Sequence, residues 1–92
     1  MIHFIHGTLA SLTADFAVID CGGVGFKMGI SVSTASKLSA KSGKDVLLYT
    51  YMAVSEDNIS LYGFSEEDEL NLFTRLISVS GIGPKAGISI LG

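Results

Sequence analysis

Cysteine is nearly missing from this chain: Cys21 stands alone among 92 residues. A single thiol excludes an internal disulfide and makes a reducing cytoplasm the expected compartment. Long apolar runs are missing too. The richest stretch, Val46 to Val54, is interrupted by Thr50 and falls short of the about 18 apolar residues that a membrane span needs. The opening Met1-Ile2-His3-Phe4-Ile5-His6-Gly7 lacks the basic region of a signal peptide. Basic charge is scarce, six Lys and Arg against nine Asp and Glu, for a net charge of −3. That balance argues against a broad electrostatic grip on nucleic acid, so any DNA contact must be local.

A catalytic constellation is also lacking. In a strand, residues three apart point to opposite faces, so His3 and His6 are not expected to share a metal ion. Cys21 shares a strand face with Ala17 and Ile19 and has no basic neighbour in sequence to lower its pKa, which predicts a buried, inert thiol. Gly81-x-Gly83-x-x-Ala86 matches a dinucleotide fingerprint by its letters, but a helical pattern precedes it where that motif needs a strand. The stretch Gly81 to Lys85 also lacks the Gly-Lys-Ser/Thr ending of a P-loop. No catalytic residue, metal site or cofactor is predicted.

What is present is apolar surplus. Hydrophobic residues make up 48% of the chain and the mean hydropathy is +0.51, high values for a small soluble monomer. Self-association is the common way to cover such surface, and an oligomer is expected. The chain ends within an apolar helical pattern, Ile88-Ser89-Ile90-Leu91-Gly92, which suggests a truncated second domain.

Along the chain, Met1 to Leu12 reads as a long strand bent around Gly7. Phe16 to Cys21 is a second strand, and Gly22-Gly23 makes a tight reversal into a third. There Val24, Phe26, Met28 and Ile30 alternate with small or polar residues, the period of a half-buried strand. Ser31 to Gly43 is a weakly helical connection around Leu38. Asp45 to Val54, apolar on both faces, reads as a central fourth strand. After the polar loop Ser55-Glu56-Asp57-Asn58, Ile59 to Phe64 forms the fifth. Five short strands with a longer third connection predict an OB-type barrel over residues 1–64, with an SH3-like barrel as the alternative.

At Ser65 the period changes from two to 3.6. Ser65-Glu66-Glu67-Asp68 has the pattern of a capping box, with acids in the first turn where the helix dipole favours them. Leu70, Phe73, Leu76 and Ile77 then share one face. A second helix starts at Pro84, a residue suited to the first helical position. Gly87 inside it costs roughly 1 kcal/mol relative to alanine and predicts a close helix approach. Residues 65–92 therefore read as helix, glycine turn, helix.

The turn Val79-Ser80-Gly81-Ile82-Gly83-Pro84-Lys85 joins the two helices. Its glycines permit positive φ and close backbone approach, and the free N–H groups of the following helix, with Lys85 beside them, suit a phosphate. The alternative is a corner that only packs. Glu56 and Asp57 sit at a hairpin tip, either as a solvated turn or as two carboxylates that repel phosphates and hold strands apart. Tyr49, Tyr51 and Tyr62 are either base-stacking platforms for a single strand or core residues.

In order and spacing, Ile19-Asp20-Cys21-Gly22-Gly23-Val24-Gly25-Phe26, Glu56-Asp57 followed by Leu61-Tyr62-Gly63-Phe64, and Gly81-Ile82-Gly83-Pro84-Lys85 resemble the RuvA family over the whole chain. The resemblance implies an OB barrel followed by helix-hairpin-helix motifs, assembled as one or two fourfold tetramers on a four-way (Holliday) DNA junction. It implies that Gly81, Ile82, Gly83, Pro84 and Lys85 hold duplex DNA by the backbone and that Glu56 and Asp57 form a central acidic pin. It also implies a non-catalytic subunit in recombination and repair, reached by the ATP-driven motor RuvB through a C-terminal domain absent from these residues. Phe4, His6 and Ser55 stand where many relatives carry basic residues, which predicts weaker local DNA affinity. Without a second hairpin, this stretch is expected not to support branch migration alone, and its main competence could be self-assembly.

Overall fold

The computed structural model describes residues 2–79 and 81–91. Met1, Ser80 and Gly92, which belong to the expected first strand, glycine turn and last helix, lie outside the described residues. Five strands come first: β1 (Phe4–Leu12), β2 (Phe16–Cys21), β3 (Val24–Gly29), β4 (Asp45–Val54) and β5 (Ile59–Phe64). A short helix, α1 (Val32–Leu38), separates β3 from β4, and α2 (Glu67–Ser78) and α3 (Pro84–Leu91) follow the barrel. The strands close in the order β1-β2-β3-β5-β4, with β4 returning to β1. This is the OB-type barrel that the strand spacing predicts.

Alternation drives the closure. Ile5, Leu9, Ala17, Ile19, Met28, Val46 and Leu48 point inward and form one buried cluster with Ile30 and Leu38. Gly22 and Gly23, with φ of 59° and 95°, make the β2–β3 turn, as two-residue hairpin loops require. The Asp20 carboxylate caps that turn, accepting from the Gly23 N–H at 2.8 Å.

The bend in β1 lies elsewhere than expected. Gly7 pairs in regular register with Val46, and the ladder instead shifts between Leu9 and Ser11. That one-residue bulge returns Leu12 to the core side, where it packs against the buried cluster. Gly7 has another role: a Cβ there would run into the Asp20 carbonyl and lie 3.0 Å from Cys21 Sγ.

The two-sided apolar character of β4 has a matching cause. Val46 and Leu48 face the barrel interior, while Tyr49 and Tyr51 face a second cluster built on Phe64, Leu70 and Phe73. Ile77, Ile88 and Leu91 complete that cluster, so it joins the barrel wall to both C-terminal helices.

The capping box at Ser65 does not form. The helix cap is Glu66, in extended backbone and without a side-chain cap bond, and α2 starts at Glu67. Ser65 is drawn toward α1 instead, its N–H donating to Thr34 Oγ1 at 3.3 Å. The acids of the first turn are Glu67, Asp68 and Glu69, one residue later than the Ser65 cap would place them, with Glu66 at the cap itself.

Candidate nucleic-acid interface

The glycine turn is built by helix termination and restart. α2 ends as Val79 turns to extended backbone, its N–H bonded to the Leu76 carbonyl at 3.2 Å. Ile82 N–H then reaches back to Val79 O at 3.4 Å, and Gly81 takes a φ of 83°, a conformation that L side chains disfavour. α3 restarts at Pro84, and the Gly87 N–H closes the first α-helical bond on Gly83 O at 2.9 Å. By helix geometry the N–H groups of Lys85 and Ala86 then have no intrahelical acceptor, and Gly83 has no side chain to cap them. Among the described residues these two N–H groups have no backbone acceptor outside the helix, and the exposed Lys85 belongs to the same turn. An oxyanion is the ligand this chemistry suits.

The second half of the site is the β4–β5 hairpin. Val54 pairs with Ile59 at its foot. Above them Ser55 N–H donates to Asn58 O at 2.8 Å, and Asn58 Nδ2 donates to Ser60 Oγ at 3.0 Å. This small network pins the loop while Glu56 and Asp57 at its tip remain exposed. The foot is apolar and open: Val54 is 65% and Ile59 67% exposed.

Folding brings the two halves together. One cleft of about 340 Å³ has Val54, Ser55, Asn58 and Ser60 on its hairpin side and Gly83, Pro84, Lys85 and Ala86 on its helical side. Asn58 and Ser60 do not stand out in the sequence. Only their place opposite the glycine turn marks them, and no local pattern encodes it.

The tyrosines are not free platforms. Tyr51 meets Phe73 edge-on at 5.4 Å between ring centroids, and Tyr62 lies 5.8 Å from the same ring. Tyr49 contacts His3 edge-on at 5.8 Å. The packing of Tyr49 and Tyr51 corrects the base-stacking alternative for those two, while half-buried Tyr62 also lines the cleft. The two histidines go separate ways, His3 Nε2 lying 3.5 Å from the Glu67 carboxylate and His6 pairing with Asp45. Cys21 is half-buried rather than fully so, with Sγ 3.1 Å from the His6 carbonyl. No helix among the described residues is long and apolar enough to cross a membrane.

The stretch that forms the barrel has a counterpart among known families: residues 1–63 match the model of the RuvA N terminal domain. The chain belongs to the RuvA family. Its likeness runs past the barrel. Over 91 residues, 99% of the chain, it is 47% identical to the Holliday junction branch migration complex subunit RuvA of Acetivibrio thermocellus. It is 46% identical over 91 residues to the subunit of that name from Acidobacterium capsulatum. With that of Bifidobacterium longum subsp. infantis it shares 41% identity over all 92 residues. The chain spans 45%, 46% and 43% of these three RuvA relatives, under half of each.

Proposed function

We propose that this chain binds four-way DNA junctions by shape, as the recognition part of a non-catalytic RuvA-type subunit. One observation carries this: the foot of the acidic hairpin, at Val54, Ser55, Asn58 and Ser60, and the start of α3, at Gly83, Pro84, Lys85 and Ala86, line one cleft. Gly81, Ile82, Gly83, Pro84 and Lys85 hold phosphate through main-chain N–H groups and one ammonium, contacts that carry no sequence information. Glu56 and Asp57 repel phosphate nearby and keep the strands of a junction apart. Attraction and repulsion side by side favour a substrate whose backbones diverge, which a linear duplex does not offer.

In this scheme residues 1–64 form the barrel domain, and 65–92 the first helix-hairpin-helix of a second domain. The full subunit works in the cytoplasm as a tetramer, or a pair of tetramers, on the junction. The motor RuvB hydrolyses ATP and docks on a domain beyond these residues.

Self-assembly is the second function, favoured by the apolar surface left open at Val54, Ile59 and Ile90. The deciding experiment is fluorescence-anisotropy binding of this chain to an immobile four-way junction, competed at low salt with linear duplex of the same sequences. Preferential junction binding is expected. Equal or absent binding, with light scattering that shows an oligomer, would instead assign these residues to assembly.

A further inference from the structure

A polar cluster sits between the barrel and the helical pair. Ser31 and Thr34, 1% and 0% exposed, stand at the start of α1. Ser31 Oγ donates to Glu69 Oε2 at 2.8 Å, and Thr34 Oγ1 donates to Glu69 Oε1 at 2.7 Å. Both hydroxyls also accept, Ser31 Oγ from the Thr34 N–H at 3.1 Å and Thr34 Oγ1 from the Ser65 N–H at 3.3 Å. A hydroxyl has one proton to give, so these bonds fix the direction of both groups. Both oxygens of the Glu69 carboxylate are engaged, by bonds of the charge-assisted kind.

Apart from the exposed ion pairs His3–Glu67 and Lys37–Glu66, which contribute little in solvent, the other attachment of α2 is to the barrel and is aromatic. Phe73 lies 4.9 Å from Phe64, 5.4 Å from Tyr51 and 5.8 Å from Tyr62 between ring centroids. Such packing supplies adhesion with a modest directional preference from the ring geometries. Glu69 precedes Phe73 by one helical turn and reaches a different element, α1. Two attachments of unlike kind, one adhesive and one directional, define an orientation. The rest follows rigidly, because Gly87 of α3 rests against Phe73 and Ile77 and Lys85 lies two residues before it.

We propose that Glu69 is a positioning residue: its two hydroxyl contacts with α1 fix the rotation of the helical pair on the barrel, and with it the gap between the Gly83–Lys85 turn and the Glu56–Asp57 hairpin. Its consequence for DNA rests on the junction-binding function proposed above. The positioning itself does not.

The test separates the two. In a Cys21→Ser background, spin labels are placed at Ser42→Cys, in the turn before β4 that Gly43 and Lys44 tie to β1, and at Ser89→Cys on α3, both exposed sites, and their separation is measured by double electron–electron resonance. The parent is expected to give one narrow distance distribution, and Glu69→Gln, whose amide oxygen can accept from one of the two hydroxyls while its NH2 cannot accept from the other, an intermediate one. Glu69→Ala and Thr34→Val should broaden or shift it. Should circular dichroism show Glu69→Ala to be unfolded, Thr34→Val decides, since valine keeps the buried shape without the hydroxyl. In the binding assay, Glu69→Ala should lower the preference for junction over duplex about tenfold, with duplex affinity nearly unchanged and Glu69→Gln falling between Glu69→Ala and the parent. A parent-like distance distribution in both Glu69→Ala and Thr34→Val would overturn the proposal, whatever happens to binding. A changed distribution in a chain whose parent never prefers junctions would uphold the positioning role and remove the junction-binding function.

Discussion

Gly87 of α3 lies against Phe73 of α2 so closely that a Cβ on the glycine would sit 3.2 Å from Phe73 Cε1 and 3.0 Å from Ile77 Cγ2. The two helices approach there because one residue has no side chain, and the Phe73 ring is in turn held by Phe64, Tyr51 and Tyr62. A helix-interior glycine, locally unfavourable, is explained by this contact.

Gly87→Val is therefore expected to destabilise the α2–α3 pair by about 1–3 kcal/mol, the usual cost of overpacking. Its effect should be local. Hydrogen exchange would show faster amides in α3 while β1, β2 and β4 keep parental protection. Uniform acceleration across the barrel would contradict so limited a role.

Phe73→Ala removes the ring on which the second cluster is built. Loss of a buried phenylalanine costs about 3–5 kcal/mol, and urea denaturation should register a fall of that order. Tyr51 and Tyr62 lose their cover at the same time, so iodide should quench tyrosine fluorescence more strongly in the variant than in the parent.

Glu56→Ala combined with Asp57→Ala should leave junction affinity unchanged or raise it by up to about tenfold at low salt, with the difference fading as salt is added. Anisotropy titrations across a salt series measure both. A large loss of affinity would mean that the carboxylates attract rather than exclude.

Lys85→Ala should weaken binding to junction and duplex alike and lower the slope of log K against log salt by about 1, the signature of one lost phosphate contact. Lys85→Arg should keep the slope. Unchanged slopes for the alanine variant would place the phosphate contact on other residues.

The sequence alone determined the parts whose cause is local. Period-two alternation marks the strands, the change of period at Ser65 marks the helices, and Gly22-Gly23 marks a turn because positive φ is a property of single residues. Even the glycine turn and the acidic hairpin tip were legible as separate pieces. Errors arose where a distant contact overrode local preference. Ser65 has the pattern of a helix cap, yet its N–H binds Thr34, 31 residues earlier. Gly7 looks like a bend but is a site of close approach to β2. Tyr51 could have faced a ligand, but its ring meets Phe73 of α2 edge-on. Tertiary structure decided barrel closure, the cleft between hairpin and glycine turn, and the grip of Glu69 on Ser31 and Thr34. Each joins residues far apart in the chain, and periodicity, which reports only on near neighbours, carries no information about such pairs.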